Sequence, residues 1–289
     1  MKVAEYSLRR NSKSPEKFDV KMIFLEDYPF LYKRERQVYK KDRKAARWRA
    51  KDPQSFTLLR FLPPQLMHYE GRAVIIDPDI FAVGDIYELL GREMNGRAIL
   101  CRDKEAIETP KGIRHNYMTS VMLMDCSKLR HWQWEKQVSE MFLGKRYYTK
   151  WVMLGYEPTE SIGEFEEGWN HLDTLNEKTK MLHNTKRGTQ PWLTGLPFFR
   201  IPYYSNVKKI WGVLPEPWWN GIKSWARGEG YLPYGRHERH PDENQEKMFF
   251  TLLKECVSTQ FITRDSLVRE IRKMSLRADA LEILDTISL

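Results

Sequence analysis

Three cysteines in 289 residues, Cys101, Cys126 and Cys256, are too few and too widely spaced for a disulfide framework or a cysteine-based zinc site. No run of about 18 apolar residues occurs, which excludes a membrane-spanning helix. The opening MKVAEYSLRR carries no apolar core of the kind a secretion signal needs, and no motif repeats at a fixed period. A reducing, cytoplasmic setting is the expectation. Hydrophobic residues make up 41% and charged residues 30%, enough apolar content for a packed core and against wholesale disorder. The net charge is +9, and much of it sits in KRERQVYKKDRKAARWRAK from Lys33 to Lys51. Such a run reads first as a solvated helix face and second as a partner for phosphate groups.

Hydrophobic patterning gives an alternation of helices and strands. The first ten residues read as a short amphipathic helix, broken between Asn11 and Pro15. Phe18, Val20, Met22 and Phe24 alternate with other residues, a largely period-two pattern that predicts a strand. SFTLLRFLPPQL predicts a helix running into Pro63-Pro64. Ala73 to Ile76 and Ser120 to Asp125 are continuous apolar runs, the mark of buried strands, and the second leads into a helix from Ser127. After His240 two amphipathic helices are expected, the second capped by Thr263. The fold class is therefore α/β. A boundary near Pro197 divides residues 1–196 from an aromatic-rich linker and helical extension, residues 197–289.

The residues richest in chemical meaning are Asp77 and Asp79. In an open α/β sheet, ligands bind outside the carboxyl ends of the strands. Two carboxylates there, one residue apart, can reach a hard divalent cation together, and Pro78 between them stiffens the turn. A turn in which both carboxylates merely cap a loop is the plainer reading of D-x-D alone.

The longer run RFLPPQLMHYEGRAVIIDPDIFAVGDIYELL, Arg60 to Leu90, resembles the donor-site signature of GT-A fold nucleotide-sugar transferases of the glycosyltransferase family 8 type. Two further stretches resemble that family in the same order: SVMLMDCSKLRHW, and WNHLDTLNEKTKMLHNTKRGTQPWL from Trp169 to Leu193. The resemblance implies a Rossmann-like GT-A sheet and a metal-dependent, retaining glycosyltransferase of hexosyl type (EC 2.4 class). It implies Mn²⁺, or Mg²⁺, held by Asp77, Asp79 and His183, with imidazole favouring Mn²⁺. Asp77 would also approach the ribose of the donor. Arg60, Lys186 and Arg187 would face its diphosphate. The implied partners are a nucleotide-sugar donor, a UDP-sugar by resemblance, and a saccharide, lipid-linked or protein acceptor. The catalytic residue stays unassigned, because departure of the phosphate on the acceptor's side needs no protein nucleophile.

Three departures accompany the likeness. The strand that usually opens the fold is not found, Gln190 stands where a Lys commonly precedes Pro-Trp, and no Gly-Asp-Gln motif occurs before Trp169. A catalytically inactive relative is one alternative. A nucleic-acid-binding protein is another, using residues 33–51 with Tyr39 and Trp48 as stacking groups. His237 and His240 read as a polar loop rather than a metal site. Trp211, Trp218, Trp219 and Trp225, with Arg200, Lys208, Lys209, Lys223 and Arg227, read first as packing between core and tail. The sharper reading is peripheral contact with the inner face of a membrane.

Overall fold

The computed structural model describes residues 1–42, 44–52, 54–104, 107–109, 112–198, 209–210 and 214–288. The chain divides into two compact units, residues 3–183 and residues 184–289.

The first unit is α/β and is built on a four-stranded sheet. Its strands include β1 (Arg72–Ile76), and a short β2 (Ile80–Ala82) follows it outside this sheet. Next come β3 (Ile99–Asp103), β4 (Tyr117–Asp125) and β5 (Ile162–Glu164). The order across the sheet is β1-β4-β3-β5, with β4 antiparallel to both neighbours and β3 parallel to β5. Position in the sheet explains composition. Central β4 is covered on both faces, and Val121, Met122, Leu123 and Met124 are fully buried. Strand β1 lies at an edge, and its Ala73, Val74, Ile75 and Ile76 are only half-buried. A second, three-stranded sheet joins β2 to β6 (His171–Leu172) and β7 (Met181–His183) in the order β6-β7-β2. Helix α1 (Lys2–Arg10) buries Val3, Ala4, Ser7 and Leu8, and α2 (Trp134–Phe142) buries Trp134, Val138 and Met141.

The second unit is helical: α3 (Glu216–Ala226), α4 (Glu243–Ser258), α5 (Arg264–Arg272) and α6 (Ala280–Thr286). The Asp242 side chain accepts the Asn244 N–H to cap α4, and Thr263 accepts the Ser266 N–H to cap α5. All three cysteines are buried free thiols, as their apolar surroundings suggest.

Several local expectations change. Residues 18–24 form no strand; Phe18, Val20 and Ile23 pack on the core from an irregular segment. The alternation is not kept in space, since Ile23 packs inward while Phe24 is 41% exposed, and the segment has no ladder partner among the described residues. The basic stretch is not a helix. Val38–Lys40 pairs antiparallel with Ala45–Arg47, and Tyr39 and Trp48 turn into the core at 2% and 4% exposure. The Trp48 indole N–H is spent on the Leu31 carbonyl at 3.0 Å. Buried rings cannot stack on bases, so the nucleic-acid reading loses its aromatic half. Ser55–Phe61 is a 3-10 helix, followed by one α-helical turn at Pro63–Leu66. Cys126–Lys128 is likewise a 3-10 turn, and the α-helix expected from Ser127 begins only at Trp134.

Candidate metal centre

Strand β1 carries the first ligand candidate to the rim of the sheet. The ladder continues one residue past its end, since the Asp77 N–H donates to the Ser120 carbonyl at 3.0 Å. The chain then turns sharply, with the Ile80 N–H returning to the Asp77 carbonyl at 3.2 Å and Pro78 at the second turn position. Asp79 therefore emerges at the start of β2. That strand pairs antiparallel with β7, placing His183 directly opposite Ile80. This one pairing brings the distant imidazole beside the two carboxylates. One ligand atom from each of Asp77, Asp79 and His183 lies within 4.8 Å of the others.

The elements around β7 show why it sits there. The N–H groups of Val83 and Gly84 both donate to the Lys180 carbonyl at 2.8 Å. A Cβ on Gly84 would stand 2.5 Å from the Lys180 side chain, so only glycine allows this approach without a shift. The Lys180 N–H in turn donates to the Gly168 carbonyl at 2.8 Å. Asp85 completes the turn. Its carboxylate caps the helix Ile86–Leu90 through the Tyr87 N–H and binds the Ser12 hydroxyl and the Lys13 N–H. The Gly-Asp-Ile of the sequence is thus a brace for the second sheet.

The imidazole is oriented by a residue that sequence reasoning missed. Asn170, fully buried, donates from Nδ2 to the Ser120 hydroxyl at 2.9 Å, which turns its Oδ1 toward His183 Nδ1, also at 2.9 Å. Nδ1 then carries a proton, and Nε2 stands 3.4 Å from Asp79 Oδ1. The only available signal for Asn170 was its place beside Trp169 within the family-like stretch; no periodicity marks it.

Arg60 reaches the same cluster. Its Nε donates to Asp77 Oδ1 at 2.8 Å, Nη2 pairs closely with Oδ2, and Nη1 donates to the Thr119 hydroxyl at 3.0 Å. Burial pushes the Asp77 carboxyl above the ordinary carboxylate range, against the opposing pull of Arg60, and the Asp79 charge adds to the rise. The donor set suits a dication of the transition series: two carboxylates and an imidazole whose Nε2 is turned toward them. An added positive charge would also relieve the two neighbouring carboxylates.

The structure thus brings together Asp77, Asp79, His183 and Arg60. Lys186 and Arg187 belong to the second unit, where both are exposed. Gln190 is buried and donates to the Asn184 carbonyl at 2.9 Å, a structural use of that position. His237 and His240 do lie in an irregular segment, but both are buried in it, and burial lowers the His237 pKa. Among the described residues they join no group of three ligands. Within the second unit Trp218 and Trp225 are 62% and 70% exposed, and Trp219 is half-buried, with Lys223 over its ring. Trp211, Arg200 and Lys208 lie outside the described residues.

No family model matches the sequence, and no protein of curated function matches it. Among solved structures, the bifunctional glycosyltransferase WbbM is similar at 15% identity and a TM-score of 0.37, over 52% of this chain and 34% of its own. The chain thus spans about a third of that protein. Mouse xyloside xylosyltransferase 1 is similar at 15% identity and a TM-score of 0.39, over 64% of this chain and 91% of its own. The glycosyltransferase GlyE of Streptococcus pneumoniae TIGR4 is similar at 14% identity and a TM-score of 0.42, over 81% and 62%. These likenesses are distant.

Proposed function

We propose that the chain is a metal-dependent, retaining glycosyltransferase of the GT-A type, similar to family 8, acting on a nucleotide-diphosphate sugar. The convergence of Asp77, Asp79 and His183 on one point, made by the β2–β7 pairing, carries this reading. Those three residues would hold Mn²⁺ or Mg²⁺, and the ion would supply positive charge for the diphosphate as it departs. Asn170 keeps His183 in the tautomer that offers Nε2. Arg60 fixes the Asp77 carboxylate and places a cation beside the donor site. Lys186 and Arg187 follow His183 by three and four residues in the chain and are the further cations assigned to the diphosphate.

In the transfer, the anomeric C–O bond to the diphosphate breaks and a bond to the acceptor oxygen forms on the same face. The acceptor's proton passes to the departing phosphate oxygen, so no protein nucleophile is assigned. Residues 1–196 form the transferase domain in this reading and residues 197–289 its extension. Peripheral contact with an anionic membrane surface is assigned to α3, where Trp218, Ile222 and Trp225 lie at helical spacing and are all exposed. Between Phe198 and Arg227 five cations accompany a single carboxylate, Glu216.

A panel of UDP- and other nucleotide sugars, assayed for hydrolysis with Mn²⁺, tests the activity. Turnover of at least one donor that is lost on chelation and in Asp79→Ala is expected. Absence of turnover with every donor, or turnover indifferent to Asp79→Ala, overturns the reading.

A further inference from the structure

A second trio of ligating side chains stands on the same sheet. Asp103 ends β3, Glu164 ends β5, and His115 lies two residues before Tyr117, the first residue of β4. One ligand atom from each lies within 4.8 Å of the others. Two of the three are fixed in advance. His115 Nδ1 sits 2.7 Å from Asp103 Oδ2, while Asp103 Oδ1 accepts the Asn116 N–H at 2.8 Å. The His115 ring lies flat on Tyr117, with centroids 4.8 Å apart and planes 6° from parallel. The Asp103 side chain is only 3% exposed, whereas Glu164 is exposed and free to adjust.

Strand register places the members side by side: β3 and β5 run parallel, Cys101 stands opposite Glu164, and Asp103 follows Cys101 by two residues. Backbone pairing continues beyond them: residues 107–109 and 112–114 form a hairpin whose two ends lead to Asp103 and His115.

From this juxtaposition we propose that Asp103, His115 and Glu164 form a second divalent-cation site, suited to Zn²⁺ or Mn²⁺. Imidazole with carboxylate oxygens is a donor set that such ions accept. The ion ties the base of the hairpin to the end of β5, a structural role separate from Asp77, Asp79 and His183. The proposal does not depend on the donor-site reading.

Zinc alone, counted by equilibrium dialysis and elemental analysis, tests it. Asp79→Ala protein should retain one tightly held equivalent. Adding either Glu164→Gln or His115→Ala to that background should weaken this zinc at least tenfold, with the circular dichroism spectrum unchanged. The glutamine variant removes an exposed charge, so it keeps the test valid if the histidine variant fails to fold. No tight zinc in Asp79→Ala, or zinc undiminished by Glu164→Gln, overturns the second site. Loss of one equivalent between wild type and Asp79→Ala reports on the donor site separately.

Discussion

Asn170→Ala should weaken metal binding without touching a ligand. Asn170 Oδ1 accepts the proton of His183 Nδ1 at 2.9 Å, which leaves Nε2 as the lone pair offered to an ion. With alanine, the imidazole is free to rotate and to move its proton to Nε2, where it blocks coordination. Loss of such an outer hydrogen bond weakens metal affinity by about 10–100-fold, or about 1.4–2.8 kcal/mol. Removal of a buried amide also leaves the Ser120 hydroxyl without its Nδ2 donor, at a stability cost of about 1–3 kcal/mol. Asn170→Asp separates the two effects, because it restores an acceptor for Nδ1 and lets Ser120 donate instead. Mn²⁺ titration by calorimetry, with a thermal melt on each variant, reads both quantities. The alanine variant should bind Mn²⁺ at least tenfold more weakly, and the aspartate variant at least as tightly as wild type. Equal affinity in wild type and a folded alanine variant would refute the tautomer argument.

Gly168→Ala should destabilise the first unit by about 1–3 kcal/mol in denaturant melts, since its methyl would stand 2.1 Å from the Lys178 carbonyl oxygen; an unchanged midpoint would show that this contact yields easily. Asp85→Ala removes a helix cap and should cost about 1–2 kcal/mol at neutral pH. Burial acts to raise the Asp85 pKa, but hydrogen bonds from Ser12, Lys13 and Tyr87 outweigh it and hold the carboxyl below its ordinary value. A depressed carboxylate contributes stability above the unfolded-state pKa and loses it as pH falls through the folded value, so the gap between wild type and variant should close below about pH 4; a gap that persists there contradicts the assignment. Wild-type protein should sediment with anionic liposomes at low salt, more weakly at high salt, and poorly as Trp218→Ala/Trp225→Ala. No binding at low salt would remove the membrane role of α3.

Burial on both faces makes Ser120 to Asp125 a continuous apolar run, because the centre of a sheet leaves no polar side; Ala73 to Ile76 is as apolar although its strand is a half-buried edge, and its end predicted the rim that carries Asp77. What joins His183 to Asp79 is a pairing between β2 and β7, two three-residue strands distant in sequence, and periodicity holds no record of such a partner. The family-like motif supplied His183; its geometry required the fold. Charge concealed the opposite case. Tyr39 and Trp48 sit in a strongly basic run, yet a three-residue hairpin strand turns Tyr39 inward, and the indole of Trp48 is anchored on Leu31. In α3 the reverse holds: aromatic residues that composition assigns to packing face outward, because the buried side of that helix is lined by Gly221 and Ser224.

The central claim is a divalent ion between Asp77, Asp79 and His183, and anomalous diffraction from crystals soaked with Mn²⁺ and UDP tests it most directly. Whatever the second site holds, a manganese peak is expected at coordinating distance, about 2.2 Å, from a carboxylate oxygen of Asp77, one of Asp79 and Nε2 of His183. That peak should vanish in crystals of His183→Ala. A manganese peak elsewhere with none at this trio, or an imidazole turned to place Nε2 on Asn170, would contradict it.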